Sequence, residues 1–420
     1  MKRFLRCVLM AFVLVAFTFS VHAATEITVQ YPYAKAFAPV MANIKADFEK
    51  EYPQYQVKFL PAYKNYEDGA QTLLRQAVTK QLPDVSVQAI NLQRTFVDRG
   101  LAVDLSTFAA NEKDWAVRGY SKAMMNLGQF GGKQYGMAFA VSTPIVYFNE
   151  DLVVKAGGDP NSLPTNWADI IKLAKKIDAL GDDVVGIFHT WNITGNWLFQ
   201  ADIYSRGGHI TTATEKQVTL NGPQGLASVK LLNDLVKECN MPNLTLKGSR
   251  QQFMSGKLGI WTYSTAMLSL ADKYIAGRFK WNVGSYPLPG PNPKLPCGGN
   301  ALLMFAQNNQ KQQAAWEFMK FATGPIGATH MVKGTGYMPA NTAAAKDPNL
   351  LGQFYATHPK HHTSLKQLPY MTQWYAFPGE NSLKIISVIK NHLQSVVDQS
   401  VDPQKALNNM ATDVQTLMPK

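Results

Sequence analysis

The sequence predicts an α/β protein built on mainly parallel, doubly wound sheet and divided between two domains. Three observations lead there. Strand-like and helix-like segments alternate from Glu26 onward, and repeated βα units place strands side by side in parallel. The chain has 420 residues, more than one hydrophobic core normally supports. Near a third of its length, Tyr135 to Asn149 (YGMAFAVSTPIVYFN) runs as a buried strand, breaks at Ser142-Thr143-Pro144 and resumes as Ile145-Val146-Tyr147-Phe148. Proline fixes φ and removes a backbone donor, so it fits poorly inside a central strand. The break is either one strand leaving a sheet and entering another, which makes a hinge, or an edge strand carrying a proline. Spacing alone leaves both open.

At the N-terminus, Lys2, Arg3 and Arg6 precede an apolar run from Val8 to about Phe19, and Val21-His22-Ala23 follows. This predicts a secretory signal peptide over residues 1–23, cleaved after Ala23. The run is too short to span a bilayer. Cys7 precedes it and is no lipid-modified first residue of a mature chain. Removing the peptide takes three positive and no negative charges from the formal +12, leaving 397 residues at +9. The remaining Lys and Arg are spread along the chain with no basic block, which argues against nucleic acid. The mature chain keeps Cys239 and Cys297, too few for a disulfide framework. A single pair and two buried thiols are both compatible with that count.

Glu26-Ile27-Thr28-Val29-Gln30-Tyr31 alternates and is β-branched, so it is the first strand. A helical stripe of Phe37, Val40, Met41, Ile44 and Phe48 follows, stopped by Pro53. Tyr55 to Leu60 is a second strand, so the start is a βαβ unit with a right-handed crossover. A helix from about Glu67 to Gln81 leads to a strand from Asp84 to Ala89. Beyond the central stretch come a helix from Thr165 to about Leu180, a strand ending at Phe188, and a Trp-rich helical start from Trp191 to Trp197. Gly259 to Tyr263 is a strand, with a helix from about Ser264. Pro287 to Pro296 holds five prolines in ten residues and reads as a surface linker. Gly298-Gly299-Asn300 enters the strand Ala301 to Phe305, and Gln310 to Thr323 is a helix.

The order of these segments carries a resemblance. Tyr135-Gly136 is followed by Ser142-Thr143-Pro144-Ile145-Val146-Tyr147-Phe148-Asn149-Glu150-Asp151-Leu152, then Ala156-Gly157-Gly158-Asp159-Pro160 and Pro164-Thr165-Asn166-Trp167-Ala168-Asp169. Phe253, Gly256-Lys257-Leu258-Gly259-Ile260, Gly298-Gly299, Trp316-Glu317-Phe318 and Gly336-Tyr337-Met338-Pro339 complete it. Over essentially the whole mature chain, this resembles the extracellular solute-binding proteins of bacterial ABC importers, family 1. Within that family the likeness is nearest to the periplasmic glycerol-3-phosphate-binding proteins.

The resemblance implies a type II-like periplasmic-binding-protein fold of two hinged lobes, each a mainly parallel sheet flanked by helices. The lobes would comprise 24–140 with 298–345, and 141–297 with 346–420. It implies a free periplasmic carrier, monomeric when unbound, that hands a sugar or polyol-like solute to permease subunits and their ATPases. It implies no cofactor, metal or nucleic acid. A hinge closes on ligand only through contacts made in the closed state.

It also implies binding residues. A polyol needs hydroxyl partners and an aromatic face. Tyr66, Ser142 and Tyr337 match ligand-contacting positions of the glycerol-3-phosphate binders. Packing at a helix start is the alternative for Tyr66, and strand capping that for Ser142. Trp191 and Trp197 fall in a segment used as a stacking platform, although Trp is more often core. Ser264, beside Thr265, is a binding hydroxyl or an N-cap. Gly299 offers close backbone approach or serves strand geometry. Trp374 is a further stacking face or ordinary packing.

Two departures separate this chain from the phosphate binders. No acid stands at Ala89–Asn91, and Trp374 to Gly379 contains no Arg. A buried phosphate needs a cation or several N–H donors, so a neutral sugar or polyol fits better, with glycerol-3-phosphate or a glycerophosphodiester as the alternative. A secreted carbohydrate-active enzyme is the reading from a different class. Asp68, Asp84, Glu150 and Asp151 are its candidate carboxylates, but no P-loop or G-x-S-x-G turn is present. His361-His362 lacks the spacing of metal ligands and reads as a solvated loop.

Overall fold

The β-branched opening segment forms β1 (Thr25–Gln30), which pairs in parallel with β2 (Tyr55–Phe59) and β3 (Val85–Ala89) in the computed structural model, whose described residues are 24–419. The signal-peptide segment lies outside those residues. The crossover helix Ala34–Glu51 buries Phe37, Val40, Met41, Ile44 and Phe48, the stripe that its sequence spaces along one face. Asn65 accepts from the Asp68 N–H and caps the helix Tyr66–Val78, which fixes where that helix begins.

Past the short hairpin of β4 (Gln129–Phe130) and β5 (Lys133–Gln134), the central stretch divides. β6 (Gly136–Ser142) joins the first sheet, whose order is β12-β6-β11-β3-β1-β2. β7 (Pro144–Asn149) joins a second sheet of order β10-β7-β9-β8. The second sheet also contains β8 (Val185–His189), β9 (Leu258–Ser264) and β10 (Trp281–Ser285). The first adds β11 (Leu295–Met304) and β12 (Met338–Pro339), while β13 (Met371–Gln373) lies along the start of β11. Only Thr143 separates β6 from β7, so the Ser-Thr-Pro break is a change of sheet. Pro144 is tolerated because it occupies the first position of β7.

Among the strands of the described residues, parallel pairing joins β1 with β2 and β3, β8 with β9, and β13 with β11. β11 runs antiparallel to both β3 and β6, and β7 runs antiparallel to both β9 and β10. These are the strands next to the crossings, where the chain passes between sheets instead of returning through a helix. The proline-rich segment makes the second crossing, from β10 to β11. Leu295-Pro296 already belongs to β11, where Pro296 sits opposite Thr372.

One side chain holds both crossings together. Gln367, fully buried, donates Nε2 to Thr143 Oγ1 at 2.7 Å and to the Pro144 carbonyl at 2.9 Å. Its Oε1 accepts from the Tyr286 N–H at 2.8 Å. Both cysteines are buried free thiols. Burial raises Cys239 to about 11 and Cys297 to about 12, far from the thiolate range.

The solvated-loop reading of His361-His362 needs correction. His361 is 2% exposed, packed edge-on to Phe354 and His358. Local helical turns over 348–366 fold it inward. Burial, together with His358, Lys360 and His362, lowers its pKa from 6.5 to about 4. The unfolded chain therefore binds this proton first on acidification. His361 should contribute stability in full above pH 6.5 and lose it progressively as pH falls to 4, by roughly 3 kcal/mol. Urea midpoints measured across that window for the protein and for His361→Phe check it, since the variant should lack this component of the slope.

Candidate functional site

The crossing strands deliver hydroxyls, glycines and indoles to one place. At the end of β6, Ser142 sits opposite Gly298 of β11. A Cβ on Gly298 would lie 2.7 Å from Ser142 Oγ and 2.5 Å from Trp197 Cζ2, so only glycine lets these three approach. Trp197 Nε1 donates to the Pro296 carbonyl at 2.9 Å, and its ring lies 6.0 Å from that of Trp374. Trp374 abuts Gly195, where an added Cβ would lie 2.5 Å from Cζ2 and would also collide with the Asn91 amide.

The other wall is built around the helix Tyr66–Val78 and Asn300 of β11. Tyr66 Oη is 3.1 Å from Tyr337 Oη and accepts from Asn300 Nδ2 at 2.9 Å. The Tyr66 ring stands edge-on to Tyr33 at 5.1 Å. Burial pushes the phenols of Tyr33, Tyr66 and Tyr337 up, so all three stay neutral hydroxyls. Glu67 bridges the walls. Its Oε1 accepts from Thr194 Oγ1 and from the Gly195 N–H at 3.0 Å.

Tyr66, Ser142, Trp197, Gly299, Tyr337 and Trp374 thus lie along one seam between the two sheets. Ser264 is beside it, because Gly336 packs against the Thr265 carbonyl. Ser264 Oγ caps the following turn by accepting from the Ala266 N–H at 3.1 Å. Trp191 makes no side-chain polar contact among the described residues and is 1% exposed in the larger core cluster. Gly299 has φ +112°, a region closed to most L residues, against the Ala140 carbonyl.

Three buried polar groups here have no partner among the described residues: Asn91 Oδ1, Asn300 Oδ1 and Trp374 Nε1. Buried donors and acceptors left unmatched are costly, and native proteins rarely keep them without a purpose. Asn300, Asn91 and Glu67 were not singled out from the sequence. Asn300 left a signal, a polar residue inside an apolar strand. Glu67 and Asn91 left none, since their roles depend on contacts more than a hundred residues away.

The two departures also acquire a geometry. Where an acid is absent after β3, Asn91 presents a neutral amide. Near Ala376 the cation comes from another element: Arg94 Nη1 is 3.5 Å from the Ala376 carbonyl. Its charge is already met, by both oxygens of Glu215 at 2.8 Å and by Asp98 at 3.4 Å. Three of the four candidate carboxylates have structural partners. Asp84 accepts from Thr28 and pairs with Lys311 at 2.9 Å, Glu150 accepts from Asn282, and Asp68 accepts from the Lys64 N–H. No cluster of three or more metal-ligating side chains occurs among the described residues.

Comparison with known proteins places this geometry. Residues 43–363 match the family model described as bacterial extracellular solute-binding protein. The sn-glycerol-3-phosphate-binding periplasmic protein UgpB of Pectobacterium atrosepticum is 24% identical over 92% of this chain and 90% of its own length. UgpB of Escherichia coli K12 is 25% identical over 82% and 76%. Among solved structures, Lmo0181 from Listeria monocytogenes in complex with cycloalternan superposes with a TM-score of 0.80 at 21% identity. It aligns with 94% of this chain and 98% of that one. UgpB from Mycobacterium tuberculosis with glycerophosphocholine gives 0.80 at 19%, with the same coverage, and maltose-bound MalE3 of T. maritima 0.81 at 18%, covering 94% and 100%. The family match spans most of the chain and the fold agrees throughout, so this chain belongs to the bacterial extracellular solute-binding proteins.

Proposed function

We propose that the protein captures a sugar or polyol-like solute at the seam between two lobes and delivers it to the transmembrane subunits of an ABC importer. One observation carries the reading: buried donors and acceptors without a partner among the described residues (Asn91, Asn300, Trp374) sit among aromatic faces and neutral phenols. A group that both donates and accepts, without charge, satisfies such a set, and hydroxyls on a C–H framework do so. The curated relatives named for glycerol-3-phosphate and the sugar-bound structural neighbours support the same class of solute.

The lobes of this reading are 24–140 with 298–345, and 141–297 with 346–420, hinged at about Val141–Ile145 and near Cys297–Asn300. The solute-contacting set is Tyr66, Ser142, Trp191, Trp197, Ser264, Gly299, Tyr337 and Trp374. The carrier works as a free periplasmic monomer after removal of residues 1–23, and it does not turn its solute over. The curated relatives are binding proteins, which supports this last point.

Titration of ligand-stripped protein with sugars, polyols and phosphorylated glycerol compounds, read by Trp fluorescence, tests the reading. A saturable, stoichiometric change without product is the expected result. Trp191→Ala and Tyr337→Ala should each weaken binding by roughly 1–3 kcal/mol, about 5- to 150-fold, through lost stacking and hydrogen bonding. Unchanged affinity in folded variants would remove those residues from the site. Turnover abolished by loss of a single carboxylate would instead establish the enzyme reading.

A further inference from the structure

A cation that the sequence-level search overlooked stands at the edge of this site. Arg250 lies on the helix Leu246–Met254, away from the C-terminal segment whose lack of arginine argued against an anionic solute. Its Nη2 donates to Tyr263 Oη at 3.2 Å. Its Nε is buried and has no hydrogen-bond partner among the described residues. The ion pairs of the described residues use Arg94, Arg118 and Arg206, not Arg250. A partly buried guanidinium with neither a carboxylate nor a full set of acceptors is expensive to maintain.

Tyr263 aims this cation at the seam. Its ring is stacked on Trp261 at 4.4 Å with an interplanar angle of 21°, which fixes the phenol at the end of β9, next to Ser264. From across the seam, Tyr33 and Tyr337 lie near enough for the Tyr263 phenol to help raise their pKa values, after burial and nearer neighbours. Arg250, Tyr263, Tyr33 and Tyr337 therefore bring one fixed positive charge to a group of neutral hydroxyls.

Resting on the solute-binding reading above, we infer that Arg250, held by Tyr263, is a specificity-determining residue that recognises an oxyanion on the solute. The solute is then a polyol or sugar bearing a phosphate or carboxylate. The guanidinium supplies charge-assisted donors to the anion, and the phenols and amides take up the hydroxyls. Arg250 meets the anion from the helix Leu246–Met254, a position that the missing C-terminal arginine does not affect.

The test compares the protein with Arg250→Gln and Arg250→Lys. The anionic probes are glycerol 3-phosphate, glucuronate and inorganic phosphate; the neutral ones are glycerol, glucose and maltose. Calorimetry reads affinity at low and high salt, and circular dichroism confirms the fold. The wild type should prefer an anionic probe, with affinity falling as salt rises. Arg250→Gln should lose about 10- to 150-fold for that probe and nothing for a neutral sugar. Arg250→Lys, keeping charge but not the planar fork, should fall between. Phosphate and carboxylate probes distinguish the two anion sources. Equal affinity of Arg250→Gln and wild type for the anionic probe overturns the inference, as does a wild type that saturates only with neutral probes; the solute-binding reading survives both. Silence towards every probe overturns both together.

Discussion

Replacing Gly299 with alanine should destabilise the protein by roughly 3–5 kcal/mol, a large share of the 5–15 kcal/mol that holds a typical protein folded. Two costs combine. The backbone has φ +112°, which costs a side-chain-bearing residue about 1–3 kcal/mol. The new Cβ would also fall on the Ala140 carbonyl oxygen and lie 3.0 Å from Val141 Cα, both in the paired strand β6. Neither is a flexible side-chain end, so the strands must part, adding about 1–3 kcal/mol or more. Gly277→Ala is the control. Gly277 also has positive φ, +78°, but a Cβ there meets nothing within 4 Å. Urea unfolding should show a small shift for Gly277→Ala and a large one for Gly299→Ala. Equal shifts would mean that the approach of β11 to β6 is not what requires glycine.

Removal of the Asp202 carboxylate should cost about as much, by another route. Asp202 Oδ2 is 3.0 Å from His189 Nε2, and Oδ1 accepts from Tyr286 Oη at 2.6 Å. His189 Nδ1 in turn lies 2.9 Å from Thr262 Oγ1. This buried chain ties the helix Trp197–Ser205 to β8, to β9 and to the start of the proline-rich crossing. Asp202→Ala strands an imidazole, a phenol and Arg206 with reduced partners, and breaking such a buried set costs roughly 3–5 kcal/mol. Asp202→Asn keeps an acceptor and should lose about 1–3 kcal/mol. Thermal unfolding ranks the variants, and an unchanged Asp202→Ala would show that water replaces the carboxylate freely.

Hydroxyl, imidazole and carboxylate stand here in the order that hydrolases use. Thr262 is 0% exposed, and its Oγ1 already accepts from the Thr190 N–H at 3.2 Å. The network therefore acts as a pin within the second sheet, and Thr262→Val should lower stability while leaving solute affinity in place.

How much of this was written in the chain is best judged residue by residue. The apolar stripe Phe37, Val40, Met41, Ile44, Phe48 fixed its helix and the buried face of that helix, because 3.6-residue periodicity is local. The caps at Asn65 and Asn166 were equally local. Pro144 marked a break but not its meaning: an edge strand and a change of sheet place the same demand on that residue. Only the pairing partners decided, since β6 meets β11 and β7 meets β9.

The site divides in the same way. Phenols, hydroxyls and indoles at Tyr66, Ser142, Trp197, Tyr337 and Trp374 announce their chemistry in one-dimensional order. Glu67 against Thr194, Asn91 against Gly195, and Arg250 on Tyr263 do not, because a hydrogen bond between distant residues leaves no periodicity behind. His361 shows the reverse. Adjacent histidines look like solvated surface until short helical turns bury one of them. The sequence by itself determined the segment types, the sheet-breaking point and the class of chemistry, all of which rest on interactions within a few residues. Tertiary structure alone decided the strand order, which charges are neutralised and which buried polar atoms lack a partner among the described residues, because burial and pairing are properties of the packed chain.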